Sequence, residues 1–111
     1  MAISGSAAGK RGSRRNGWTS KASLNEHFND HGQSKRDNIN ASDPDSYHQA
    51  AWELIYDSAT IRGIRPRDGA TGHFNLKSGK MVIVNAKNKK TSFFKPTSGR
   101  RLFDRNFPIQ K

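Results

Sequence analysis

Cysteine is absent from this 111-residue chain, which excludes disulfide staples and thiolate chemistry and leaves the fold to stand on packing alone. That composition suits action in a reducing cytosol. The apolar share is also low, at 32%, so part of the chain is expected to lack a packed core. No apolar run is long enough to span a membrane, and none reads as the h-region of a signal peptide. Membrane insertion is therefore not expected, and any export would use another route. Acids are scarce: 9 Asp and Glu stand against 20 Lys and Arg, for a formal net charge of +11. The length allows one small domain with a single modest core.

What is present is unevenly placed. Residues 1–21 carry five basic residues and no acid, residues 22–60 carry two against seven, and residues 61–111 carry thirteen against two. The second half is thus strongly cationic and the middle acidic. A localised field of that sign attracts polyanions, of which nucleic acid is the commonest and an anionic membrane surface the lesser alternative. A merely solvated basic surface is the plain reading beside both.

Residues 1–17 (MAISGSAAGKRGSRRNG) are rich in Gly, Ser and Ala, show no hydrophobic period and read as a flexible basic arm. Residues 18–111 form the expected domain. Thr19 or Ser20 can cap a helix to about His31, with Leu24, His27, Phe28 and His31 on one face and Gly32 as its stop. Residues 33–41 read as a polar loop. Ser42-Asp43-Pro44 starts a second helix, running to about Asp57 and burying Tyr47, Ala51, Leu54 and Ile55. Arg62–Arg67 suggests a short edge strand, because Pro66 cannot donate within a central one. Three antiparallel strands follow, roughly 71–76, 80–85 and 90–95, joined by lysine-rich turns. Leu102 and Phe103 suggest a further short strand or a packing tail, and residues 107–111 a frayed end. The expected fold class is α+β, with N-terminal helices packed on one face of a small antiparallel β-sheet and the other face open to a ligand.

His27 and His31 stand at i and i+4, so on a helix both rings face the same way. They are read as half-buried helix-face residues, as zinc ligands or as an acid–base pair. Zinc is the weakest reading, because the zincin pattern requires Glu directly after the first His and Phe28 stands there. No metal or cofactor is expected. An imidazole titrating near 6.5 exchanges protons at neutral pH. Cleaving RNA through its own 2′-hydroxyl needs such a group, an acid for the departing 5′-oxygen and cations for the phosphorane. Thr91-Ser92-Phe93-Phe94-Lys95 offers two hydroxyls and a cation at a strand end. His73, on the face of Thr71 and Asn75, is read as a third catalytic imidazole, a base-stacking contact or an ordinary exposed residue. Strict alternation sends Ser92 and Lys95 to opposite faces, so either a bulge lies in this strand or Thr91 is the working hydroxyl.

Residues 69–96 resemble the nuclease domains of colicin D-type toxins. The shared pattern is a glycine, Phe-Asn, a turn, an apolar strand, a polar turn and a Ser three residues before a Lys, matched here by Phe74-Asn75, Ser92 and Lys95. The pair HFNDHG and SFFKP also resembles C-terminal domains of polymorphic and contact-dependent toxins, in which an HFxxHG helix precedes a TFFKP strand. His73-Phe74 departs from the Arg-Tyr often found there. The resemblance implies a fold like that of barnase and RelE-type ribonucleases and metal-independent cleavage of RNA, with tRNA anticodon loops as substrate. It places His31 as the catalytic histidine and Ser92 and Lys95 as the strand-borne hydroxyl and cation.

The expectation is therefore an endoribonuclease toxin that leaves a 2′,3′-cyclic phosphate. His31 would be general acid or base and His27 its partner or orienting neighbour, while Lys95 would stabilise the phosphorane and Ser92 or Thr91 bind the phosphate. Arg65, Arg67, Lys77, Lys90 and Arg101 would cradle the RNA backbone. Such a chain is expected as a monomer acting in the cytoplasm of a target bacterium, delivered within a secreted toxin or made in place. Its implied partner is an acidic immunity or antitoxin protein. The rival from another class is a nonenzymatic RNA- or DNA-binding protein.

Overall fold

The computed structural model describes residues 17–108; the expected basic arm, Gly17 apart, lies outside them. The first helix, α1, spans Lys21–His27. Ser20 is extended, and its hydroxyl accepts the Ser23 N–H at 3.0 Å, which satisfies one of the orphan donors of the first turn. The chain then widens into a π-helical turn, Phe28–Gly32. Gly32 is required there, since a Cβ would come within 2.4 Å of the Phe28 ring. The single helix expected up to His31 is thus two helical types in series, a departure often seen at functional sites.

Helix α2 spans Pro44–Tyr56 and starts at a reciprocal cap: the Asp43 carboxylate accepts the Ser46 N–H at 2.7 Å, and the Ser46 hydroxyl accepts the Asp43 N–H at 3.1 Å. Pro44 sits where its missing N–H costs nothing. Beyond it the strands β1 (Thr60–Ile64), β2 (Thr71–Asn75), β3 (Met81–Val84) and β4 (Lys90–Phe94) form an antiparallel meander in the order β1-β2-β3-β4. Two asparagines turn the corners. The Asn75 side chain accepts the N–H groups of Lys77 and Ser78, with Gly79 at φ 75°, and Asn85 accepts those of Lys87 and Lys89, with Asn88 at φ 68°. Pro66 falls just outside edge strand β1.

Helices α1 and α2 cover one face, where Leu24, Tyr47, Ala51 and Leu54 pack on Val82, Val84 and Phe93, with Trp18 closing the margin. The Tyr47 hydroxyl donates to the Phe93 carbonyl and pins α2 to β4. Burial of this apolar set supplies most of the driving force for the helix–sheet layer.

The opposite face is not simply open, which corrects the expectation. Leu102 and Phe103 lie in a third helix, α3 (Arg100–Asn106), and not in a strand. Phe103 and Phe107 bury with Ala70, Phe74 and Met81 in a second core. Phe107, expected to fray, is 1% exposed. Its place is made by two glycines paired across β1 and β2, Gly63 and Gly72. A Cβ on Gly72 would come within 2.6 Å of the Phe107 ring, and one on Gly63 within 1.8 Å of the Phe107 carbonyl oxygen. The Arg65 guanidinium lies 5.1 Å from the centre of that ring. Ile64 donates its N–H to Pro108 at 3.2 Å, so the chain end also covers the sheet edge. On the β4 side of this face Ser92 and Phe94 stay partly exposed. Among the described residues no helix is long and apolar enough to cross a membrane.

Phe107→Ala should cost about 3–5 kcal/mol of unfolding free energy, the usual loss for a buried Phe, with the urea m-value unchanged. A loss below about 1 kcal/mol would show that the C-terminal segment is not part of the core.

Candidate active site

The polar loop after the π-turn folds back on it. Ala41 donates its N–H to the Gly32 carbonyl at 2.8 Å, and the bend is taken up by Asn38 and Asn40 at φ 54° and 58°, a conformation asparagine tolerates better than most residues. This closure carries Asp37 into the interior, where it is fully buried. Its carboxylate accepts the Lys95 backbone N–H at 2.8 Å through Oδ1 and meets His31 Nδ1 at 3.1 Å through Oδ2. The Arg36 guanidinium lies further off, at 3.8 Å. Burial pushes the Asp37 pKa up, but the hydrogen bonds from Lys95, His31 and Ser34 outweigh it and leave the group below its usual range.

Asp37 is therefore a carboxylate at neutral pH and only accepts. His31 Nδ1 must then carry a proton and donate it, which leaves Nε2 as the nitrogen available for chemistry. The His31 side chain keeps 21% of its exposure, enough for a reacting group to reach it. This arrangement is a positioned imidazole backed by a buried acid, the general logic of an oriented acid–base catalyst.

His27 lies beside it, the two rings 6.1 Å apart and 17° from parallel, and Trp18 lies 5.4 Å from His27, its ring tilted by 36°. Burial, then the neighbouring His31, lower the His27 pKa, with Glu26 and Asp30 opposing. His27 is thus neutral at neutral pH. Its Nδ1 is buried with no hydrogen-bond partner among the described residues. The geometry suits a stacking support for His31.

Strand β4 brings Phe94 to His31, ring centres 5.9 Å apart. Ser92 stands two residues earlier, opposite Ile83, and shares the Phe94 face. A bulge is present, but it lies between Ile83/Val84 and Lys90–Ser92. It precedes Ser92 and leaves Ser92 and Lys95 out of phase. Thr91 donates its hydroxyl to the Ile83 carbonyl at 3.3 Å, so of the two hydroxyls Ser92 is the one on the His31 side. Lys95 is tied by its backbone to Asp37, while its side chain runs beside Gly79. Burial, then the charge of Lys95, lower the Lys80 pKa, and Lys80 lines an opening beside Asn75 and Phe93.

Other expected site residues are not gathered here. His73 pairs with Val82 on the helix-covered face, 7% exposed, its Nε2 3.0 Å from the Thr71 hydroxyl. Lys90 is buried on that same side. Arg65 is held by Asp68 in two hydrogen bonds of 3.0 and 2.9 Å and covers Phe107. Arg67 is exposed in the β1–β2 loop, Lys77 in the β2–β3 turn and Arg101 on α3. Sequence reasoning missed Asp37 and Lys80. Asp37 is the only acid in the loop 33–41, and that isolation six residues after a candidate histidine was the available signal.

No family model matches this chain, and no curated protein is similar to it. Among solved structures it is similar to a ribonuclease from Escherichia coli complexed with its inhibitor protein. The match has a TM-score of 0.54 at 18% identity and covers 75% of this chain and 96% of the other. The fold is thus like that of a barnase-like ribonuclease; the order of elements led to the expected α+β class, and the resemblance implied the ribonuclease-like fold.

Burial, then Arg62 and Lys90, lower the His73 pKa to about 4. An unfolded histidine titrates near 6.5, so between these values the unfolded chain binds more protons and acid favours it. Wild-type stability should fall by about 2 kcal/mol from pH 7 to pH 5, as linkage gives for such a pair of pKa values. His73→Gln should remove most of that difference in urea titrations at the two pH values. An equal fall in both proteins would contradict the burial of a neutral His73.

Proposed function

We propose that this chain is an endoribonuclease of the toxin class, cleaving tRNA by attack of a 2′-hydroxyl on the adjacent phosphorus. The observation that carries the reading is the His31–Asp37 pair: a partly exposed imidazole held through Nδ1 at 3.1 Å by a fully buried carboxylate, beside the half-exposed end of β4. The ribonuclease fold supports it. His31 Nε2 carries one of the two proton transfers, removal of the 2′-hydroxyl proton or protonation of the departing 5′-oxygen. His27 orients it by stacking. Ser92 donates to a phosphate oxygen, and Lys95 with Lys80 offsets the extra negative charge of the phosphorane. The P–O5′ bond breaks as the O2′–P bond forms, and the products are a 2′,3′-cyclic phosphate and a 5′-hydroxyl. These groups supply proton transfer and charge stabilisation without a metal.

The choice of tRNA rests on the likeness of residues 69–96 to colicin D-type nucleases, and the toxin class on that likeness and the HFNDHG–SFFKP pair. An inhibitor partner is supported by the similar ribonuclease, solved with its inhibitor protein. With a net charge of +11 here, that partner is acidic and covers the His31 end of the sheet.

The test is incubation with total bacterial RNA in excess EDTA, read on a denaturing gel with end analysis. Wild type should give discrete tRNA fragments ending in cyclic phosphate, and His31→Ala should lose about 10²-fold or more in rate, the usual contribution of a positioned acid or base. Intact RNA at concentrations where a gel shift shows binding would leave a nonenzymatic binding protein instead.

A further inference from the structure

On the helix-covered face, α2 crosses β2, β3 and β1, and the strip of sheet beside its last turns is left uncovered. A cleft of about 550 Å³ opens there, bounded by Trp52 and Tyr56 of α2, Arg62 and His73 of the sheet, and Lys90 at the start of β4. It lies on the opposite side of the sheet from Ser92 and Phe94, so it is separate from the site around His31.

Two features give it a chemistry. First, it is built for an anion. Among the described residues no Asp or Glu lines it, whereas Arg62, Lys87, Lys89 and Lys90 do. Lys90 is only 6% exposed, and no carboxylate pairs with it among the described residues. Burial of an ammonium without a counter-charge is costly, and a bound anion would relieve it. Burial already lowers the Lys90 pKa to about 8, which leaves it charged at neutral pH. Thr71 adds a hydroxyl, shared with His73 Nε2 at 3.0 Å, whereas the Thr60 hydroxyl on the same wall is already donated to the Leu54 carbonyl. Second, the rim is aromatic. Trp52 and Tyr56 lie with ring centres 4.8 Å apart, and Tyr56 is 64% exposed. A cation-lined pocket beside an exposed ring matches a phosphate linked to a planar base. The chain's own residues 1–16 do not supply the anion, since they hold four basic residues and no acid.

We propose that this cleft is a nucleotide-binding subsite, in which Lys90 and Arg62 hold a phosphate and Tyr56, backed by Trp52, stacks the base. Its assignment to the RNA substrate rests on the ribonuclease reading, and it would grip the strand away from the cut bond. Binding of a free mononucleotide does not depend on cleavage, so either statement can fail without the other.

Adenosine 5′-monophosphate is titrated into the whole protein, with the indole N–H resonance of Trp52 followed by NMR and the backbone N–H of Phe103, in the second core, as internal reference. Wild type should show saturable shifts at Trp52, weakened 10-fold or more in Arg62→Ala and several-fold in Tyr56→Ala, and preserved in His31→Ala. Both altered side chains are exposed, so these variants should fold. Inorganic phosphate should bind more weakly than the nucleotide. Shifts that survive Arg62→Ala and Tyr56→Ala, that vanish in His31→Ala, or that inorganic phosphate reproduces at equal affinity would overturn the proposal. So would the absence of any shift at Trp52 up to millimolar nucleotide.

Discussion

One buried carboxylate holds the candidate site together. Asp37 takes the backbone N–H at the end of β4 on one oxygen and His31 Nδ1 on the other, so the π-turn, the loop and the sheet meet on a single side chain. A buried charge with full hydrogen bonding is tolerable, while one stripped of a partner is expensive. The same contact that secures the loop therefore fixes which nitrogen of His31 is free. Stability and chemistry are coupled at that atom: the carboxylate's stabilising contribution is complete above the unfolded pKa of about 3.9 and is lost as pH falls through the depressed folded value.

The sheet presents different surfaces on its two sides. One carries α1 and α2 over an apolar core, with the cation-lined cleft left where α2 ends. The other carries α3 and Phe107 over β1 and β2 and leaves Ser92 and Phe94 of edge strand β4 partly exposed beside His31. The strong positive field of the chain reaches both sides, and a polyanion would be attracted to either before any specific contact forms. Among the described residues only the β4 side has an imidazole backed by a carboxylate in this way, and the proposed cleavage is assigned there for that reason.

Much of the architecture was legible because it is encoded over a few residues. Ser20 and Asp43-Pro44 mark the helix starts, and the lysine-rich stretches 77–79 and 86–89 mark the turns, which the Asn75 and Asn85 side chains then close. The α3 helix was not legible, since its seven residues show too short a pattern to separate helix from strand, and the trough that receives Phe107 exists only once Gly63 and Gly72 are paired. The same limit applies to the site. His31, Ser92 and Lys95 stood out by type and spacing, but Asp37 reaches His31 only after two left-handed asparagines reverse the loop. His73 carried the same imidazole chemistry in sequence, yet strand pairing puts it on the other side of the sheet, next to Thr71 and not to His31.

Asp37 holds His31 with its proton on Nδ1 and leaves Nε2 free. Long-range proton–nitrogen NMR of the histidine rings at pH 8.5, on wild type and Asp37→Asn, addresses this directly. The account predicts a His31 ring in the Nδ1–H form in wild type, with that preference lost in Asp37→Asn. A His31 protonated on Nε2 in wild type, or one indifferent to the substitution, would contradict it.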